Sequence, residues 1–350
     1  MTRFSTTANS APTPYVASHG LWWLAWRRLR ADRVAMVSLT IVAVYLLMLL
    51  LSVCGLIAAD WDVERGNYYA PPTFMGADAA VKVADNPLDR ELVIDYGVPD
   101  PLAADLSTIQ AKLATEPATP EIVRAPTLPF GADKWGHDII KKTIKGSETS
   151  IIVGLLSALL AVLLGTVFGA VSGYFGGWVD DGFNWFYSVF TSIPYLLLIL
   201  AVAAVMPHKG IITIIGIFTV TGWTGTYRLI RAEYMKHKRR EYVLAADAIG
   251  ASPLSKMFRH IYPNVSHVSL VQVSLLVVEF IKSEVILSFL GFGVPVGVVS
   301  WGSMLNDAPD ELLLGKWWQL TAVTVAMAVL VTAFSLFTDA LRDALDPKLK

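Results

Sequence analysis

The feature that most constrains this chain is a series of long apolar runs. Five of them contain no Asp, Glu, Lys or Arg: Val34–Ala59, Thr149–Val179, Gly182–Pro207, Gly210–Tyr227 and Trp317–Thr338. A sixth run, about 267–292, is equally apolar apart from Glu279, Lys282 and Glu284. A helix needs about 20 apolar residues to cross the hydrocarbon core of a bilayer. We therefore predict an all-α integral membrane fold with six transmembrane helices.

The composition supports this class of protein. Hydrophobic residues make up 54% of the chain and charged residues only 16%, whereas charged residues are about a quarter of an ordinary soluble domain. The single cysteine, Cys54, excludes an intrachain disulfide. The first apolar run is longer than the hydrophobic region of a secretory signal peptide, about 7–15 residues, so we expect an uncleaved membrane anchor.

Lysine and arginine predict the orientation, because they concentrate in cytoplasmic loops near the spans. Basic residues cluster before the first span, in the loop 231–266 and near the C-terminus. With six spans these three segments lie on one side, which predicts that both termini are cytoplasmic. Lys141, Lys142 and Lys145, which flank the second span on the opposite side, argue against this orientation. Three segments against one cluster favour the N-in, C-in topology.

These assignments divide the chain into segments. We expect a cytoplasmic segment 1–33, a first transmembrane helix 34–59, an extracytoplasmic loop 60–133, a transmembrane domain 134–346 and a cytoplasmic tail 347–350. The further spans are predicted at 149–173, 184–206, 210–230, 267–290 and 317–338, with the cytoplasmic loop 231–266 between the fourth and fifth. The loop 60–133 is rich in proline and acidic residues, so it forms little continuous helix. It is either a solvated connection or a docking or lid segment.

One stretch of the cytoplasmic loop, residues 241–265, is too ordered for a simple connection, and we call it the knuckle. Its alanines predict a helix over Tyr242–Ile249, and Gly250 suits the position just past a helix end. Ser252 and Pro253 are typical of the start of a second helix, which we expect to end near Ile261 because of Pro263. Composition leaves open whether the knuckle lies on lipid headgroups or docks on a protein.

A resemblance favours docking on a protein. The sequence Leu244-Ala245-Ala246, followed by Gly250 and then Pro263, resembles the "EAA" cytoplasmic loop of ABC importer permeases, with Leu244 in place of the glutamate. Other stretches resemble the C-type subunits of the dipeptide/oligopeptide (peptide/nickel) permeases: 130–138 (FGADKWGHD), 173–180 (GYFGGWVD), 287–293 (LSFLGFG), 300–302 (SWG) and 341–347 (LRDALDP). Ala132 and His137 replace that family's Thr and Arg. The resemblance covers about residues 25–60 and 130–350.

The resemblance implies a type I ABC importer permease fold in the bacterial inner (plasma) membrane, with a coupling helix in the cytoplasmic loop. It implies a sister permease subunit that forms the other half of the pore, two ATP-binding subunits and an extracytoplasmic solute-binding protein. The residues expected to couple to the ATPases are Tyr242, Leu244, Ala245, Ala246, Asp247, Gly250, Arg259 and Pro263. Peptides are the implied solute, with nickel or another small solute as the alternative.

No residues in the sequence predict catalysis or a bound cofactor. No G-x-x-x-x-G-K-[ST] phosphate loop occurs, so we expect ATP and Mg²⁺ to bind partner subunits. The six histidines show no metal-ligand spacing, no serine occupies a nucleophile elbow, and no nucleic-acid partner is expected. The rival interpretations are an ATP-independent secondary transporter, which would need an internal repeat and coupling acids, and a membrane-embedded enzyme.

The charges of the fifth span have two interpretations. A charge at the centre of a membrane helix costs about 2.5–3.5 kcal/mol or more, so Glu279, Lys282 and Glu284 need partners or water. Glu279 and Lys282 can pair at i,i+3 spacing. The three residues either stabilise the bundle interior or line the translocation path or its gate, and Glu284 is the stronger candidate for the path or an interface.

Two further features bear on packing. Gly165, Gly169 and Gly173 lie on one helical face, a spacing that permits close contact either within the chain or with a sister subunit. Pro194 should kink the third span.

Overall fold

The computed structural model describes residues 21–77, 124–295 and 297–345. The expected tail 347–350 and parts of the segments 1–33 and 60–133 lie outside the described residues. In the described ranges the regular secondary structure is entirely helical, with isolated β-bridges and no strand. The all-α prediction is thus confirmed for this part of the chain.

The helices follow the apolar runs and the knuckle in chain order. They are α1 (Leu21–Ala31), α2 (Arg33–Val53), α3 (Ile139–Phe175), α4 (Gly177–Thr191), α5 (Tyr195–Val205), α6 (Ile211–Gly222), α7 (Thr224–His237), α8 (Glu241–Ala248), α9 (Tyr262–Phe289), α10 (Trp301–Leu313) and α11 (Trp318–Leu345). Between α8 and α9 lie a single turn, Pro253–Ser255, and a π-helix, Lys256–Ile261.

Not all of these helices are long and apolar enough to cross a membrane. Among the described residues, α2, α3 and α11 are long and apolar enough, and the bent pair α4–α5 is a fourth span if it counts as one. The expected span 210–230 falls on α6, with 12 residues, and on the first half of α7. Trp223 joins the two with helical angles (φ −70°, ψ −20°). The expected span 267–290 falls on α9, which carries the three charges.

The third expected span is broken rather than gently kinked. α4 and α5 meet at 87°, and the break comprises residues 192–194, just where Pro194 was expected to act. Proline disfavours helical angles in the preceding residue, and Pro194 itself has extended angles (φ −53°, ψ 129°). The position of the distortion was therefore predicted correctly and its size was underestimated.

Pro263 does not end a helix, and this prediction was wrong. It lies in the first turn of α9, where the missing N–H of proline removes no intrahelical bond. The π-helix directly before it makes this possible, because Tyr262 N–H donates to Met257 O and so closes the wider turn before Pro263. The knuckle therefore runs without interruption into the fifth expected span.

The glycine stripe of α3 packs inside the chain. A Cβ added to Gly165, Gly169 or Gly173 would lie 2.6, 2.7 and 2.6 Å from carbonyl oxygens of Trp223, Tyr227 and Arg231 respectively. Contacts this short exclude any side chain at the three positions. Of the two partners that the sequence left open, the structure identifies the chain's own α7.

α3 is the central helix, in contact with α6, α7 and α9. Phe218 of α6 and Phe280 of α9 stack beside it, with ring centroids 5.3 Å apart. On the other side, α2 packs against α11, and α1 packs against the end of α11, where Arg28 Nη1 donates to Ala344 O at 3.4 Å.

Candidate functional site

The knuckle folds as its turn residues predict. α8 ends at Ala248, and Gly250 follows in the left-handed region (φ +80°), which glycine adopts at no steric cost. The Ser252 side chain accepts a hydrogen bond from Ser255 N–H, and Pro253 occupies the first turn that follows. An ion pair between Lys256 and Asp247 joins the two sides of the turn. Local hydrogen bonds and backbone preferences thus fix the shape of the knuckle.

The outer surface of the knuckle is apolar and exposed. Leu244 is 57% exposed, Ile249 84% and Leu254 65%. Arg259 and Pro263 are exposed as well. An apolar patch at the end of a bundle, outside the expected spans, is typical of a surface that binds another protein.

The inner surface of α8 is buried against the bundle. Ala246 is 4% exposed and Val243 3%, since residues three apart share a helix face. Ala246 therefore faces the bundle in this subunit. Ala245, one position earlier on the chain, is exposed, as are Tyr242 and Asp247.

Hydrogen bonds fasten the knuckle to the bundle. Tyr234 Oη on α7 donates to Met257 O at 3.0 Å. Just before the knuckle, Lys238 Nζ donates to Tyr174 O, at the end of α3, at 2.6 Å. His237 Nδ1 and Tyr242 Oη lie 2.8 Å apart. Buried contacts add to these bonds, because Val243, Met257 and Ile261 share one apolar cluster with Ala170 of α3 and Ile230 of α7.

A second fastening joins α7 to the broken pair of helices, and we call it the clamp. Arg231 binds Asp180 with two hydrogen bonds, each 2.6 Å long, from Nε and Nη2. Ser172 also donates to Asp180, and Tyr227 Oη donates to Asn184 Oδ1 at 3.2 Å. The sequence singled out Asp180 only as the last residue of the family-like stretch 173–180. No sequence pattern predicted its pairing with Arg231, which lies 51 residues away.

Glu284 lies in the bundle interior. It is 0% exposed, and its carboxylate accepts hydrogen bonds from Ser150 Oγ at 2.6 Å and Ser288 Oγ at 2.7 Å. Ser150 Oγ also accepts from Trp301 N–H at 3.3 Å. Glu284 thus ties α3, α9 and α10 together within the subunit.

Glu279 and Lys282 are placed differently from Glu284. Both are exposed on α9, and in the described part of the chain no ion pair joins them. Lys282 nevertheless acts electrostatically on Glu279, so the two charges lie near each other. The two charges face outward from the isolated subunit.

A buried polar cluster at the opposite end of the bundle was not predicted from the sequence. Asp133, 0% exposed, binds Lys142 Nζ at 2.6 Å and His137 Nδ1 at 3.0 Å, and Lys142 Nζ also donates to Gln319 Oε1 at 3.1 Å. Burial opposes ionisation, yet the His137 hydrogen bond and the Lys142 charge hold the pKa of Asp133 well below its usual range. The stretch 130–138 thus has a structural role, and the only signal for it was its resemblance to a motif.

Comparison with known proteins yields two matching families. The family described as "Binding-protein-dependent transport system inner membrane component" matches residues 165–350. The "N-terminal TM domain of oligopeptide transport permease C" matches residues 20–72.

Curated relatives share the similarity. The dipeptide transport system permease protein DppC of Bacillus subtilis (strain 168) is 38% identical over 221 residues, which is 63% of this chain and 69% of that protein. The oligopeptide transport system permease protein OppC of the same organism is 37% identical over 221 residues, 63% of this chain and 72% of that protein. DppC of Lactococcus lactis subsp. cremoris (strain MG1363) is 29% identical over 333 residues, 93% of this chain and 90% of that protein.

Proposed function

The chain belongs to the family of binding-protein-dependent transport system inner membrane components, and from that premise we propose that it forms half of the translocation pore of an ATP-driven peptide importer. A multi-pass inner-membrane permease is a transport component and not an enzyme. The permease proteins quoted above carry dipeptide and oligopeptide transport in their names, which favours peptides over nickel or another small solute.

The observation that carries the proposal is the exposed, rigidly mounted knuckle. Leu244, Ile249 and Leu254 face outward, whereas Val243 and Ala246 hold α8 to the bundle. We assign the contact with an ATP-binding subunit to Leu244, Ala245 and Gly250, with Tyr242, Asp247 and Arg259 at its rim. Ala246, buried against the bundle, supports this surface from its inner side. Pro263 lies in the first turn of α9, where the knuckle joins that helix.

Closure of the ATPases would act on the bundle through both ends of the knuckle. One end follows α7 after the short turn 238–240, the other is continuous with α9, and the clamp connects α7 to α4. A push on the knuckle would therefore move several spans as a unit and switch the pore between two arrangements. An ATP-driven importer needs such a coupling between its ATPases and its spans. An ATP-independent secondary transporter does not need a docking surface like the knuckle.

We further propose six spans with both termini in the cytoplasm: α2, α3, the pair α4–α5, α6 with α7, α9 and α11. The contact of Arg28 with Ala344 supports placing the N-terminal and C-terminal helices on the same side. Glu233, His267 and Leu345 line a common cavity, which supports placing the base of the knuckle on that side too. The loop 60–133 would then face outward.

The proposed complex contains a sister permease, two ATP-binding subunits that hold ATP and Mg²⁺, and an extracytoplasmic binding protein that delivers the solute. The expected boundaries of the segments remain predictions within this proposal.

Substitution of Gly250 tests the proposal. A side chain at φ +80° is strained, and no atom lies within 4 Å of the space that a Cβ at Gly250 would fill. Gly250→Asp therefore distorts the turn and adds a negative charge to its surface without disturbing the core. We expect the variant to lose co-purification of the ATP-binding subunits. The matched control is Gly76→Asp, because Gly76 has φ +79° and equally open surroundings in the outer segment. ATP-independent solute uptake by the isolated chain in liposomes would contradict the proposal.

A further inference from the structure

The exposed charges of α9 cannot face lipid. Glu279 and Lys282 lie well inside the helix Tyr262–Phe289, and a charge exposed to hydrocarbon is strongly disfavoured. The two charges act on each other electrostatically, and no salt bridge of either with a third residue occurs among the described residues. This face of α9 must therefore meet water or a polar partner in the assembled importer.

The break between α4 and α5 lies beside this face of α9. Residues 192–194 are exposed and non-helical, and irregular backbone at membrane depth is tolerated only inside protein or beside a water-filled cavity. Tyr195, the first residue of α5, lies within electrostatic range of Glu279 and beside Ser283. An exposed acid and an exposed backbone break thus occur at the same place in the bundle.

The stripe that carries the charges has a mixed character. Leu275 and Ile286, each 40% exposed, flank Glu279 and Lys282 at spacings of four, three and four residues, so all four share one face of the helix. The stripe therefore presents one negative charge, on Glu279, and one positive charge, on Lys282, between two apolar side chains. Residues three apart place their Cβ atoms about 5–6 Å apart, and both charged side chains are long and flexible.

We propose that this stripe is a binding site for short zwitterionic peptides, in which Glu279 binds the terminal ammonium and Lys282 the terminal carboxylate while Leu275 and Ile286 contact side chains. The inference rests on the proposed peptide import function. A peptide backbone extends about 3.3–3.6 Å per residue, so the two charges can reach both ends of a peptide of two or three residues.

The experiment is uptake by the complete importer in proteoliposomes with the substitutions Glu279→Gln and Lys282→Gln. The probes are radiolabelled trialanine, its N-acetylated form and its C-amidated form, each supplied at saturation of the binding protein. We expect Glu279→Gln to lower uptake of trialanine and the amide about tenfold, the loss of one charge-assisted hydrogen bond, and to leave the acetylated peptide unchanged. Lys282→Gln should lower uptake of trialanine and the acetylated peptide and leave the amide unchanged.

The matched controls are Lys145→Gln and Glu148→Gln. These two residues also have i,i+3 spacing and form an ion pair 2.8 Å long, and their substitution should affect uptake of all three peptides equally. Variants of α9 that keep wild-type discrimination, or that lose the sister permease on purification, would overturn the inference and assign this face to packing. A wild-type complex that imports none of the three peptides would overturn the proposed function and this inference with it.

Discussion

Glu311 shows how a single residue can make the bundle sensitive to pH. It lies on α10, between the fifth and sixth expected spans, is 2% exposed, and neither of its carboxylate oxygens has a hydrogen-bond partner among the described residues. Burial, aided by the charges of Asp133 and Asp307 and opposed by that of Lys142, raises the pKa of Glu311 to about 7. The folded state therefore holds this proton more tightly than the unfolded state does.

The sign of the pH effect follows from this difference. Between the ordinary pKa of 4.5 and about 7, the folded state keeps a proton that the unfolded state has lost, so the free energy of unfolding falls as pH rises. The total loss is about 3 kcal/mol. We expect the melting temperature of the purified protein to fall from pH 5 to pH 8, and Glu311→Gln to remove most of that decrease.

Asp310→Asn is the control for this prediction, because Asp310 is the exposed neighbour of Glu311 on the same helix and its substitution should leave the pH dependence intact. A Glu311→Gln protein with the wild-type pH profile would show that another group is responsible.

At the scale of elements, the clamp connects the knuckle to the broken helix pair. The side chains of Arg231 and Asp180 are 25% and 13% exposed, so the pair is largely withdrawn from water, and loss of one partner leaves the other poorly solvated. We expect Asp180→Asn to lower ATP-driven uptake about tenfold or more while the ATP-binding subunits still co-purify, because the knuckle itself is unchanged.

The charge-reversed double variant, Asp180→Arg with Arg231→Asp, should recover part of the uptake. Glu233→Gln is the control on the same helix: it breaks the more exposed pair with Lys236 and should have little effect. Equal losses in Asp180→Asn and Glu233→Gln would argue against a specific role for the clamp.

The elements also show what the sequence could and could not predict. Gly250, Ser252 and Pro253 act through their own backbone angles and nearest hydrogen bonds, so the turn of the knuckle was predictable. Pro263 was misjudged because the π-helix that accommodates it depends on the packing of Met257 and Ile261, both 0% exposed.

At the scale of the whole molecule, the sequence did not predict which residues distant in the chain contact each other. Periodicity indicated the glycine face of α3 but could not say that α7 covers it. Insertion cost indicated that Glu284 needs a partner, yet Ser150 lies 134 residues away. Long-range pairing of this kind depends on how the helices pack, which no local pattern in one sequence specifies.

The central claim is that the outer face of the knuckle, and not its inner face, contacts an ATP-binding subunit. Single cysteines at Leu244 and at Ala246 test it, in a background where the exposed native thiol is removed by Cys54→Ser. With a short thiol-reactive cross-linker on the purified complex, we predict that Leu244→Cys is joined to an ATP-binding subunit and that Ala246→Cys is not. Cross-linking from position 246 and none from position 244 would contradict the account.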